Sequence, residues 1–269
     1  MDVTIIFKAI ILGIIEGLTE FLPISSTAHL IIVSKIINFN EIENNIFEIA
    51  IQLGAILAII FLYRSKIINI ITTLPSDKNS QKFTLNIISA FIPTAIIGFL
   101  LYPIIKAHFF SLIIISISLI IGGIIFLIIE KLNIKSRFSK IEEINIKHSI
   151  LLGLIQSLAV IPGVSRSGAT IMGGLTLGMK RELATEISFF LAIPTIFVAT
   201  IYDLYKNYNI LNLDHLFIIS IGFISAFFSS IIIIKWFINF VSKNNFTIFA
   251  YYRIIAGLIL GSYIIFTNY

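Results

Sequence analysis

The sequence predicts an all-α polytopic membrane protein with six transmembrane helices and two re-entrant helical hairpins in an inverted-topology repeat. Three observations lead there. Hydrophobic residues fill 58% of the 269 positions and charged residues only 12%, and the mean hydropathy is +1.03, far from soluble-globular usage. Six apolar stretches come close to the length of a spanning helix, while four shorter ones fall in two pairs, each broken by a proline. The two halves of the chain also carry glycine, proline, serine and glutamate at matching places.

The chain opens on the short runs 9–22 and 24–37, which meet at Pro23, followed by spans at 47–63, 83–103 and 111–130. A second short pair, 149–161 and 168–179, flanks a loop containing Pro162 and Gly163, and spans at 185–203, 214–234 and 246–266 complete the order. A spanning helix needs about 20 apolar residues, whereas runs of about 10–14 fit re-entrant segments. Non-helical backbone at membrane depth persists only where protein or a wet cavity surrounds it, so both hairpin loops are expected to line one polar cavity. No polar, Pro-rich or Gly/Ser-rich linker interrupts the chain, so residues 1–269 read as a single integral-membrane domain. Residues 1–30 lack the basic head, short apolar run and small-residue cleavage site of a signal peptide and are expected to be retained.

The repeat halves fall at about 1–132 and 133–269. Gly13 matches Gly153, Glu16 matches Gln156, Pro23 matches Pro162, Ser26 matches Ser165 and Glu48 matches Glu186, at an offset that drifts smoothly near 140. Each half is then a hairpin followed by three spans, and an odd number of spans inverts the second copy. Arg64, Lys66, Lys78 and Lys82 fall in one loop and Lys131, Lys135, Arg137, Lys140 and Lys147 in another; Lys180 with Arg181, and Lys235 with Lys243, fall on the same side. The positive-inside rule makes that side cytoplasmic, and the acidic segment around Glu41 and Glu43 lies opposite. The net charge of +5 therefore reports loop orientation and gives no reason to expect a nucleic-acid partner. With no cysteine, disulfides and thiolate metal sites are excluded.

Polar chemistry inside this apolar chain concentrates in EGLTEFLPISSTAHL, Glu16 to Leu30, and PGVSRSGAT, Pro162 to Thr170. Ionisable groups are costly in hydrocarbon, so their gathering marks a working site. Glu16 and Glu20 stand four apart on one helical face, where mutual repulsion calls for a proton, a cation or an arginine nearby. Ser25, Ser26 and Thr27 lie where the next helix begins, whose free N–H groups favour an anion, and His29 follows within its first turn. In the second motif Ser165, Arg166 and Ser167 set a forked cation between hydroxyls.

Plainer readings exist for each. The serines and Thr27 could be helix caps, the glutamates a proton relay, Arg166 a local counter-ion for Glu20, and His29 an interfacial residue. Arg253, about a turn and a half inside the last span, is expected to snorkel or pair locally, and Gln52 to line the cavity or bond a neighbouring helix.

The two motifs, their spacing and the segment QLGAILA from Gln52 to Ala58 closely resemble the bacterial undecaprenyl-diphosphate phosphatases of the bacitracin-resistance type, along the whole chain. The resemblance implies an enzyme of the bacterial inner membrane that hydrolyses undecaprenyl diphosphate to undecaprenyl phosphate and inorganic phosphate. That reaction recycles the lipid carrier for peptidoglycan, with a divalent cation at a site open to the periplasmic face. On that footing Ser25, Thr27, Ser165, Arg166, Ser167 and Thr170 are the residues expected to bind diphosphate, and Glu16 and Glu20 to hold Mg²⁺ or Ca²⁺. Ser26 is the preferred nucleophile, with His29 or a glutamate as base, and a metal-activated water the alternative. Partners would be the polyprenyl diphosphate lipid and the bilayer, with a homodimer left open. The competing function is a transporter or flippase for a lipid phosphate or small anion, which inverted repeats also suit.

Overall fold

The computed structural model describes residues 3–39, 46–109 and 111–267, and Glu41 and Glu43 lie outside them. Among the described residues there are eleven α-helices and one isolated β-bridge, between Phe138 and Met179. The first hairpin is α1 (Val3–Thr19) and α2 (Ser26–Ile36). Its break comes earlier than the proline: α1 ends at Thr19, and Glu20 N donates the last helical bond, to Glu16 O, at 2.9 Å. Pro23 lacks an N–H and disfavours helical backbone in its predecessor, which favours a break here, whereas Pro93 and Pro194 are carried inside longer helices. Five helices later the pattern returns as α7 (Ile146–Ser157), a 3₁₀ turn (Leu158–Val160) and α8 (Arg166–Thr176).

Between and after the hairpins run α3 (Ile46–Leu62), α4 (Arg64–Thr73), α5 (Lys78–His108), α6 (Leu112–Lys131), α9 (Arg181–Lys206), α10 (Leu213–Val241) and α11 (Thr247–Thr267). Five of these are long and apolar enough to cross a membrane, and a sixth crossing is reached if α3 and α4, bent by 72°, count as one span. The 17 residues of α3 reach only about 26 Å at 1.5 Å per residue, a little short of a hydrocarbon layer of roughly 30 Å. The outer faces of the long helices are apolar: Ile92, Ile96 and Phe99 on α5, Ile117, Ile121 and Ile124 on α6, and Ile255, Leu258 and Ile259 on α11 are all exposed. Water would reject such a surface, and lipid accepts it.

Small residues allow the hairpins to approach the spans. A Cβ on Gly13 would lie 2.3 Å from Gly222 O of α10, and one on Gly153 would lie 2.1 Å from Ala90 O of α5. The same glycine contact thus seats α1 on α10 and α7 on α5, the close backbone approach that membrane helices use in place of a hydrophobic driving force. Around the hairpin loops Phe21, Phe189, Phe237, Phe246 and Phe249 form a buried aromatic core, with Phe21 edge-on to Phe189 at 5.4 Å. The basic loops meet at one end of the bundle, where Lys135, Lys180, Arg181 and Lys243 line a cavity of about 830 Å³ and Lys66 pairs with Glu186 at 2.9 Å.

Candidate active site

Both hairpin loops reach one cavity of about 180 Å³, lined by Glu20, Ser25, Ser26, Thr27, Ser165 and Arg166 together with Gln52, Thr94, Gln156 and Thr195. Ser25 is the N-cap of α2 and accepts from Ala28 N at 3.4 Å; Ser165 is the N-cap of α8 and accepts from Gly168 N at 3.1 Å. Both sit at positive φ, 72° and 75°, where residues other than glycine are uncommon. This shared geometry makes Ser25, not Ser26, the counterpart of Ser165. The sequence pairing of Ser26 with Ser165 is therefore corrected by one residue, because the hydroxyl that caps the helix is the first of the run.

The correction has a chemical consequence, since Ser26 now corresponds to Arg166, and the two converge on one carboxylate. Arg166 Nη2 donates to Glu20 Oε1 at 2.8 Å, and Ser26 Oγ donates to Glu20 Oε2 in a short contact. The Arg166 and Glu20 side chains are only 11% and 5% exposed, so the pair is screened little by solvent. The other arm of the fork, Nη1, donates to Ser188 O on α9 at 2.7 Å. Arg166 does neutralise Glu20, as the plainer reading allowed, while also facing the cavity.

Other expected site residues lie behind this wall. Ser167 is buried, and its hydroxyl donates to Leu22 O at 2.7 Å, tying one hairpin loop to the other. Thr170 is buried too and donates to Gln156 Oε1 at 3.2 Å and Arg166 O at 2.9 Å. Both hydroxyls are committed to holding the loop. Gln156 Nε2 in turn donates to Thr94 and Thr195, at 2.9 and 3.3 Å. His29 is turned away from Ser26: its Nδ1 lies 2.7 Å from Ser25 O and its Nε2 lies 2.6 Å from the Tyr252 hydroxyl. A carbonyl only accepts, so Nδ1 carries the proton and Nε2 accepts from Tyr252. In this arrangement the side-chain carboxylate within reach of Ser26 is that of Glu20.

Glu16 is fully buried beside the carboxyl of Glu20, and among the described residues no donor group reaches either of its carboxylate oxygens. Its match in the second half, Gln156, is a neutral amide with all its bonds made. No group of three or more His, Cys, Asp or Glu is arranged to hold a metal among the described residues. Arg253 does not snorkel. It is fully buried, and its guanidinium meets backbone carbonyls of both hairpin loops. Sequence reasoning passed over Ser188, Thr94 and Thr195. The signal available for the two threonines was a hydroxyl placed directly after a proline, Pro93 or Pro194, inside an apolar span. Ser188 takes part mainly through a main-chain carbonyl, which any residue would supply.

Fold and site together define a polytopic helical membrane protein whose polar chemistry is carried by two paired hairpins around an acidic–basic couple. The chain belongs to the family described as bacitracin resistance protein BacA, which matches residues 9–259. It is 48% identical to an undecaprenyl-diphosphatase of Methylobacillus flagellatus, over 98% of this chain and 99% of that one. It is 49% identical to undecaprenyl-diphosphatase 2 of Shewanella oneidensis, over 97% and 99%, and 47% identical to an undecaprenyl-diphosphatase of Nitrosospira multiformis, over 97% and 95%.

Proposed function

We propose that this chain is an undecaprenyl-diphosphatase that removes the terminal phosphate of undecaprenyl diphosphate, recycling the lipid carrier for cell-wall synthesis, with bacitracin resistance as an associated property. One observation carries the reading: a hydroxyl and a guanidinium from opposite hairpins meet on the two oxygens of Glu20 at a cavity wall. A nucleophile and a phosphate-binding fork are thereby each within one hydrogen-bond length of the same base. The printed names of the relatives support the same reaction.

In the proposed reaction Arg166 and the N-termini of α2 and α8 receive the diphosphate oxygens, beside Ser25, Thr27 and Ser165. Ser26 Oγ attacks the terminal phosphorus as its proton passes to Glu20. The bridging P–O bond breaks, and undecaprenyl phosphate leaves carrying the proton that Glu20 hands on, which frees the carboxylate again. Water, giving a proton to Glu20, then attacks the phosphorus on Ser26 and frees inorganic phosphate, with the proton returned to the serine. Ser167 and Thr170 hold the Arg166 loop in place for both steps.

Glu16 supports a divalent cation, Mg²⁺ or Ca²⁺, because two buried carboxylate oxygens that no donor reaches among the described residues, beside the carboxyl of Glu20, call for a cation or a proton. Glu16 and Glu20 would hold the ion with substrate oxygens and water completing its shell. When bound, it would offset the negative charge of the diphosphate.

The same reading places the six spans and two re-entrant hairpins as an inverted repeat in the bacterial inner membrane, as one domain with the cavity open to the periplasm. Three observations support it: the repeated serine caps, the paired glycine contacts, and the basic loops gathered at the end away from the Glu20 cavity. The isoprenoid tail would lie along the apolar helix faces while the headgroup enters from the side. Phosphate release from undecaprenyl diphosphate by purified protein in detergent tests the function. A pure transporter has no gradient there and gives no signal, so absence of release beside a folded protein would refute the reading.

A further inference from the structure

We propose that Arg253 is the positioning residue that fixes the two hairpin loops against each other, and so sets Ser26 and Arg166 at working distance on Glu20. The proposal rests on the phosphatase reading. Arg253 sits on α11, far in sequence from both motifs. Its Nη1 donates to Pro23 O at 3.2 Å and Val164 O at 3.0 Å, and its Nη2 donates to Gly163 O at 3.0 Å and Ser118 O at 3.2 Å. One guanidinium thus joins the first loop, the second loop and α6. Its hydrogen bonds all go to main-chain carbonyls, and none of the ion pairs among the described residues involves it.

A buried cation facing dipoles instead of a carboxylate is costly to keep, and the loops explain its retention. Broken helices leave carbonyls without partners at membrane depth, and a planar fork satisfies several at fixed spacing where a point charge would not. The tethered carbonyls are also well placed. Val164 directly precedes Ser165, and Pro23 stands two residues before Ser25, the two caps held at positive φ. Such backbone persists only where its surroundings over-determine it. Ser26 and Arg166 are the next residues after those caps, so a shift of either loop is passed on to the reacting groups. The fold also reserves room for the guanidinium: a Cβ on Gly122 of α6 would lie 2.0 Å from Nη2. Tyr252, the preceding residue on α11, holds the same first hairpin through His29.

Four proteins in matched detergent test this: wild type, Arg253→Lys, Arg253→Ala and Gly122→Ala. Each is assayed for kcat and KM with undecaprenyl diphosphate, per folded molecule, with thermal unfolding measured alongside. Arg253→Lys should lose about 100-fold in kcat with KM little changed, the loss a misplacement of roughly 1 Å produces. Ethylguanidinium should restore at least part of the kcat of Arg253→Ala, and ethylammonium at the same concentration should not. Gly122→Ala keeps the charge but crowds the fork, and should lower kcat in the same direction. A wild-type kcat in folded Arg253→Lys, or in folded Gly122→Ala should the lysine variant not fold, overturns the proposal. So does a loss in Arg253→Ala that ethylguanidinium and ethylammonium leave equally unchanged. An inactive wild type would instead remove the phosphatase reading on which the proposal stands.

Discussion

Replacing Ser26 with alanine, beside the same change at Ser25, separates chemistry from capping at adjacent positions. Ser25 supplies the cap of α2, with a hydrogen bond of 3.4 Å from Ala28 N, so Ser25→Ala should cost about 0.5–2 kcal/mol of stability. Ser26 makes no cap; its hydroxyl goes to Glu20. If that hydroxyl only steadies Glu20, its loss removes one hydrogen bond to a charged group, about 1.5–3 kcal/mol, or roughly 10–150-fold in rate. If it is the nucleophile, the loss approaches the order of 10⁶-fold that removal of a serine nucleophile produces elsewhere. The two ranges do not overlap. Single-turnover phosphate release, measured beside thermal unfolding, decides between them. Ser26→Ala should be nearly inactive at an almost unchanged melting temperature, and Ser25→Ala should be less stable with the chemical step largely retained. A Ser26→Ala enzyme that keeps its rate within about 150-fold would refute covalent catalysis and leave a water activated near the Glu pair.

Three further outcomes follow from the site and the bundle. Arg166→Lys cannot reach both Glu20 Oε1 and Ser188 O, so kcat should fall roughly 10–150-fold with the fold retained, and near-normal turnover would remove the fork from the mechanism. Glu16→Gln should fold, because a neutral amide already occupies the matching place at Gln156, yet activity should no longer respond to added Mg²⁺. An unchanged Mg²⁺ titration would make Glu16 structural. A cysteine at Asn209 should react with an impermeant thiol reagent in intact cells, while one at Asn79 or Asn145 stays protected, against a cysteine-free background. The reverse pattern would turn the cavity toward the cytoplasm.

Much of the fold is legible in the sequence, because a bilayer imposes a length and a polarity on each segment and little else. Five of the six expected spans return as helices that meet the crossing test, and α3 falls just short of it by itself. The two interrupted pairs return as short helices separated by a break, α1 from α2 and α7 from α8, at the polar loops that the sequence marks. Glu20, Ser26 and Arg166 were legible as a group for the same reason: charge inside an apolar chain has few other uses.

What residue identity left open was decided by distance across the fold. Ser25, Ser26 and Thr27 are three hydroxyls in a row, and only the positive φ at Ser25 assigns the cap to one and the carboxylate to the next. His29 resembled a base until Tyr252, which packs against it from α11, took its second nitrogen. Arg253 was placed by its depth in one helix, but its partners are carbonyls of two loops that the chain reaches more than eighty residues away. Composition and spacing along the chain set the solvent, the spans and the chemical alphabet of the site. Tertiary structure decided which of those groups touch, because in this fold the decisive partners are backbone carbonyls and neighbouring hydroxyls, to which the identity of a residue gives no address.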